Sequence, residues 1–214
     1  LKQDPVFIIG HWRSGTTHLH NLLSRDLQFR YLDFGQTAMP HNFLNKTSTL
    51  ARQMIARSLP KDRGFDSVEL TVDSPQEEEM ALGSLNQLGY YCVYYFPQDM
   101  KLHFDRSVLF EGVNEEEKAG FELAYRKLVN KLSIVHGERP LLFKNPPSTA
   151  RITMLRRLFP DAKFIYIHRN PYEVFPSSLN RYFRLMSVFA WQDFEGIDFE
   201  AVSYTHLRAH ETSI

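Results

Sequence analysis

A single cysteine, Cys92, stands in 214 residues, so the chain can form neither an internal disulfide nor a cysteine-cluster metal site. Cys92 sits in an aromatic stretch, Tyr90 to Phe96, and reads as a buried small apolar residue. No apolar run is long enough to span a membrane. No net charge is left either: 25 Lys and Arg balance 25 Asp and Glu, so no bulk field draws in nucleic acid or an acidic membrane surface. Internal repeats and low-complexity segments are absent.

What is present suits one ordinary globular α/β domain with a real core: 43% hydrophobic residues, including 17 Phe and 10 Tyr. The charge is unevenly spread. Phe65 to Met100 holds seven acidic residues and no Lys or Arg, whereas Arg139 to Arg184 holds nine Lys or Arg and only Asp161 and Glu173 as acids. A charge run is often just a solvated face. Here the basic half coincides with two strand–turn–helix segments, which favours a polyanionic ligand.

The pattern predicts strands at Val6 to Ile9, Leu141 to Phe143 and Phe164 to Ile167. Helices are predicted at Thr16 to Ser24, Thr47 to Ser58, Glu115 to Val135 (closed by Gly137), Ser148 to Leu158 and Pro171 to about Met186. Phe34 to Lys46 reads as loop-rich. Ser74 reads as a helix cap with Pro75 at the first helical position and Glu77 completing a capping box, in a helix running to about Leu88. Strands alternating with helices imply a parallel sheet with helices on both faces.

Two segments carry the chemistry. Val6-Phe-Ile-Ile-Gly10 ends a strand, His11-Trp-Arg-Ser-Gly15 is a short loop, and Thr16-Thr17 opens a helix. Gly10 and Gly15 have Walker A spacing, with Thr17 at the Ser/Thr position. Thr16 replaces the usual lysine, and a cation stands inside the loop at Arg13. Such a loop presents N–H groups at a helix N-terminus, where partial positive charge favours phosphate. In the second segment the strand Phe164 to Ile167 runs into His168-Arg169-Asn170-Pro171 and a helix. Arg169 and Ser177, eight residues apart, are placed to close on one phosphate.

Together these segments resemble the sulfotransferases that use 3′-phosphoadenosine-5′-phosphosulfate (PAPS). The family's 5′-phosphosulfate loop is matched by Arg13-Ser14-Gly15-Thr16-Thr17-His18-Leu19, with Trp12 in place of the usual proline. Its 3′-phosphate motif is matched by Arg169-Asn170-Pro171 and Ser177. Leu142-Phe143-Lys144-Asn145-Pro146 looks like the strand whose lysine approaches the transferred group. Phe159-Pro160-Asp161-Ala162-Lys163 resembles the entry to the 3′-phosphate strand. The likeness runs from about Pro5 to about Arg184, and the arginine loop resembles the bacterial, carbohydrate and tyrosylprotein branches.

The resemblance implies a P-loop-like parallel sheet flanked by helices on both faces and incomplete at the C-terminus. It also implies PAPS as co-substrate, no metal, and in-line transfer to a hydroxyl or amine of a small-molecule, carbohydrate or peptide acceptor. Arg13 and Lys144 are expected to neutralise the leaving phosphate, and Ser14, Gly15, Thr16 and Thr17 to bind it. Location is open: cytoplasm for a bacterial protein, the Golgi lumen if an anchor lies upstream.

The acceptor needs a general base. One branch of the family has histidine where Pro146 stands, so a carboxylate is expected instead: Glu78 first, Glu79 second. Glu77 is the least suited, because the cap already accounts for it. Acids in a first helical turn also have a purely electrostatic explanation. Trp12 is placed to stack on adenine or line the entrance, and His11 to contact acceptor or phosphosulfate. The competing readings are a P-loop kinase or nucleotide hydrolase, which lacks its lysine and magnesium-holding acid here, and an inactive nucleotide-binding fragment. Ser203 to Thr212 resembles a translated sequencing adapter, so the expected domain is 1–201 with a non-native tail at 202–214.

Overall fold

The computed structural model describes residues 4–46, 48–60 and 69–201. The 202–214 tail lies outside them. The elements in chain order are β1 Val6–Ile9, α1 Thr16–Leu23, β2 Arg30–Tyr31, α2 Phe34–Ala38, α3 Ser48–Ser58 and α4 Glu78–Leu85. After α5 Cys92–Tyr95 and α6 Met100–Phe104, a single π turn covers Asp105–Leu109. Then come α7 Glu115–His136, β3 Leu141–Lys144, a 3-10 turn Pro146–Thr149, α8 Ile152–Leu158, β4 Lys163–Tyr166 and α9 Pro171–Phe189.

The four strands form one parallel sheet in the order β2-β3-β1-β4. Residues of β1 alternate between faces. Phe7 and Ile9 pack with Leu141 and Phe143 against α4, α7 and α8; Val6 and Ile8 pack with Leu142 against Leu19 and Leu23 of α1. Both faces are covered, which is why the strand reads as a continuous apolar run. Phe7 is register partner of both Phe143 and Phe164 and stacks on both rings, at centroid distances of 5.4 and 5.5 Å. A separate aromatic cluster, including Trp12, Tyr90, Tyr94, Phe104, Tyr182 and Met186, joins α5 and α6 to α9.

Several expectations need correction. Ser74 does not cap a helix. Its hydroxyl accepts from the Thr71 N–H, and the chain from Ser74 to Gln76 pairs with Leu32 to Phe34 instead. That pairing holds Pro75 and Gln76 extended, so α4 starts three residues late and Glu77 becomes its N-cap, with no side-chain cap bond. It also ends early, at Leu85, where Gly89 turns back against Gly83; a Cβ on Gly89 would lie 2.3 Å from the Gly83 Cα. The loop-rich Phe34 to Lys46 contains α2, closed at its start by an Asp33–Gln36 capping box. The Ser148 to Leu158 helix is split, its first turn being 3-10. Cys92 is half-buried rather than buried.

Candidate functional site

The carboxyl ends of β1, β3 and β4 open on one side, the usual ligand-binding side of a parallel sheet. The loop after β1 is shaped by backbone conformation. Gly10 has φ 138°, and a Cβ there would strike the Ile167 carbonyl oxygen at 2.4 Å, so β1 and the end of β4 can approach only at glycine. The Gly10 N–H donates to Thr149 Oγ1 at 2.8 Å. Gly15, at φ 98°, caps α1 without any side-chain cap bond, and a Cβ there would meet nothing within 4 Å. The N-terminus of α1 is therefore left without a side-chain cap, as an anion cradle requires. Arg13 also lies in the left-handed region, φ 69°, which is uncommon outside glycine.

The two sequence motifs converge on Arg13. Its Nε donates to Ser177 Oγ at 2.8 Å, and Arg169 Nη1 donates to the Arg13 carbonyl at 3.1 Å. Arg169 is further held by Glu173 one turn along α9, at 2.9 Å. Ser177 and Arg169 thus reach the same loop, through Arg13 rather than each other. Ser14 and Thr16 are buried in the loop. Lys144, at the end of β3, is buried with its Nζ 3.2 Å from Thr17 Oγ1, and it pairs with Glu77.

A cavity of about 460 Å³ opens beside this loop. Arg13, Thr16, Thr17 and Ser177 line one end; Trp12, Tyr91, Tyr94, Leu185 and Phe189 supply apolar wall. Among the described residues Glu77 is its one carboxylate.

Glu78 and Glu79 are not there, which corrects the expected order of candidate bases. Both are fully buried. Glu78 turns into the core, where Tyr125 donates to it at 2.6 Å and Ser148 at 3.3 Å; burial pushes its carboxyl up to about 7. Glu79 accepts from the Tyr90 N–H at 2.6 Å, Asn145 Nδ2 at 2.7 Å and Arg151 Nη1 at 2.7 Å. Its capacity is spent on structure. The sequence position of Glu77 fits a capping box, but α4 begins at Glu78, three residues later than expected, and the Glu77 side chain pairs with Lys144 instead.

Trp12 lines the cavity but is buried, stacked on Tyr90 with centroids 5.1 Å apart. His11 is bonded through Nδ1 to the Trp12 carbonyl at 2.7 Å; burial lowers its pKa to about 4, which keeps the ring neutral. Sequence reading missed Arg181, which also lines the cavity. The available signal was its position, four residues after Ser177 on the same face of α9. Among the described residues no group of three or more His, Cys, Asp or Glu side chains is arranged to hold a metal ion, and no helix is long and apolar enough to cross a membrane.

A phosphate-type loop at the end of a central parallel strand, with a second cationic strand end closing on it, defines a class, and the sequence agrees. The sequence model of the sulfotransferase family matches residues 5–213, and the chain belongs to that family. Omega-hydroxy-beta-dihydromenaquinone-9 sulfotransferase Stf3 of Mycobacterium bovis is 32% identical over 207 residues, covering 95% of this chain and 52% of the relative; its Mycobacterium tuberculosis counterpart matches equally. The chain spans about half the length of these curated relatives. The crystal structure of sulfotransferase STF9 from Mycobacterium avium shares the fold with a TM-score of 0.72 at 21% identity, over 100% of this chain and 55% of that one. Sulfotransferase STF1 from Mycobacterium tuberculosis does so at 0.59 and 13%, over 99% and 70%.

Proposed function

We propose that this chain binds PAPS and transfers its sulfuryl group to the hydroxyl of a small, largely apolar acceptor. The observation that carries the reading is the meeting of both phosphate motifs at Arg13, beside a cavity whose one carboxylate among the described residues is Glu77. The α1 N-terminus and Thr16 and Thr17 suit the 5′-phosphate. Arg169 and Ser177 suit the 3′-phosphate, exchanging their present bonds to Arg13 for bonds to the ligand.

In the proposed reaction the acceptor oxygen attacks sulfur in line. The new S–O bond forms as the bond from sulfur to the bridging phosphate oxygen breaks, and the electron pair leaves with adenosine 3′,5′-bisphosphate. Glu77 takes the hydroxyl proton. Lys144 is paired with Glu77 and also near Thr17, so it stands between the base and the phosphate loop. With donor present it shares its charge with the bridging oxygen, alongside Arg13. Such preorganised charges act where charge develops. The relatives named for an omega-hydroxy menaquinone acceptor support an apolar acceptor with a hydroxyl.

The first test is ligand-induced stabilisation. Adenosine 3′,5′-bisphosphate without magnesium is expected to raise the melting temperature, as any ligand specific to the native state does. A rise with Mg-ATP alone would support the kinase reading instead.

A further inference from the structure

Most polar side chains of the cavity wall are engaged. Ser177 holds Arg13, Thr17 and Glu77 meet Lys144, and Tyr94 is bonded to Tyr90 and Arg181. Gln76 differs. It lines the cavity while only 7% exposed. Among the described residues its carboxamide has no hydrogen-bond partner, yet the amide keeps some accessible surface. Phe34, Leu70 and Met80 line the same cavity and offer it nothing. A buried carboxamide with its N–H donors and its oxygen unused is costly unless a ligand or water completes it. Asn180 and Tyr91 also line the cavity, but each keeps more of its surface open to solvent.

The backbone fixes where Gln76 stands. The Phe34 N–H donates to the Ser74 carbonyl at 3.0 Å, and the Gln76 N–H donates to the Leu32 carbonyl at 2.9 Å. A side chain on paired backbone is held more precisely than one on a free loop. Gln76 is also the neighbour of Glu77, with Cα atoms about 3.8 Å apart, and both residues line the cavity. A group bound by Gln76 therefore belongs to the reacting end of the acceptor.

The reacting hydroxyl cannot satisfy this amide. Its one proton goes to Glu77, which leaves the Gln76 oxygen without a donor. A bond from the Gln76 N–H to the same oxygen would draw on the electron pair that attacks sulfur. A second hydroxyl both donates and accepts, and so suits both halves of the amide. We propose that Gln76 sets acceptor specificity by binding a second hydroxyl carried beside the reacting one, so that the acceptor is an apolar or aromatic diol of the catechol kind. The inference rests on the sulfotransferase reading for the fate of the reacting hydroxyl, but the preference is a binding property and can be read without turnover. An analogue lacking the second hydroxyl leaves the amide unpaired, which is how a buried polar group discriminates.

The test titrates 4-butylphenol and 4-butylcatechol calorimetrically into the parent and into Gln76→Met, which keeps the side-chain length and removes the amide. The parent is expected to bind the catechol on the order of tenfold tighter, beyond the roughly twofold statistical gain from having two hydroxyls. Gln76→Met should show the statistical gain alone. A gain no larger than that in the parent overturns the proposal with no variant needed, so a variant that fails to fold does not protect it. A full preference that survives in folded Gln76→Met overturns it as well. Titration with adenosine 3′,5′-bisphosphate separates the two readings. Absence of that binding with the catechol preference intact refutes the donor assignment and leaves Gln76 standing; bisphosphate binding without the preference refutes Gln76 alone.

Discussion

Three consecutive glutamates have three different fates, set by where helix α4 begins. Glu77 faces Lys144 and the cavity, Glu78 faces Tyr125 in the core, and Glu79 faces Arg151. Glu77→Gln is expected to reduce turnover at least a hundredfold, the order that general-base loss commonly brings, with nucleotide affinity little changed. Glu78→Gln should keep its turnover. A steady-state comparison of the two variants decides between them, and the reverse ranking would return the base to Glu78.

Glu78 makes a second prediction at the same scale. Its folded pKa is raised by burial from 4.5 to about 7. Between those values the folded state holds a proton that the unfolded chain has lost. Stability from this group is therefore full below about pH 4.5 and falls as pH rises through 7. The effect is on the order of 3 kcal/mol, at 1.36 kcal/mol for each pKa unit. Buried neutral His11 and His20, lowered to about 4 and about 3, tilt the curve the other way below pH 6.5. The difference between parent and Glu78→Gln isolates the carboxyl: the two should melt alike near pH 4.5, and the variant should melt higher at pH 8. Parallel curves at all pH values would show that Glu78 is not protonated in the fold.

At the scale of elements, the loop after β1 depends on glycine geometry. Gly10→Ala would push a methyl group into the Ile167 backbone oxygen and impose a positive φ on alanine. β1 and β4 could not keep their register beyond Ile9–Tyr166, and the Arg169 turn would move off Arg13. Nucleotide binding should be lost along with several kcal/mol of stability, since backbone strain and overpacking each cost about 1–3 kcal/mol. A denaturation midpoint within error of the parent would refute the close approach. This loop was readable from sequence because its determinants are local: an apolar strand, two glycines at fixed spacing and a helix start. So were β3, β4 and α7, the last with its Asn114–Glu117 capping box and Gly137 stop. The start of α4 was not. Ser74-Pro75-Gln76-Glu77 has good helix-start chemistry, but pairing with Leu32 to Phe34, some forty residues earlier, overrides it. The Asp33–Gln36 box of α2 was local and simply overlooked. The spacing of Arg181 from Ser177 puts both on one face of α9, but its neighbours Trp12 and Tyr94 arrive from other elements and leave no mark in the local sequence.

Across the whole molecule, the Glu79–Arg151 pair connects parts that no strand ladder joins. Arg151 is fully buried. It reaches Glu79 on α4 and the Ser107 carbonyl in the π turn, at 3.0 Å through Nε and 2.5 Å through Nη2, and stands 4.9 Å over Phe121 of α7. Glu79 in turn holds the Tyr90 N–H ahead of α5 and Asn145 at the end of β3. The α4 helix, the aromatic α5–α6 region and the catalytic side of the sheet are thus tied at one ion pair, and α4 is what presents Glu77 to the cavity. A buried pair is weak evidence of net stabilisation, but removing one partner strands the other's charge and typically costs 3–5 kcal/mol. Arg151→Met is expected to lower stability by about that much, and to disturb the cavity through Glu77 without touching Arg13 or Arg169. Arg151→Met combined with Glu79→Gln should recover part of the loss, because no unpaired charge is left behind. Urea denaturation of the two single variants and the double variant forms the cycle. Strict additivity would mean that the two side chains do not act as a unit, and that α4 is held in place by apolar packing alone.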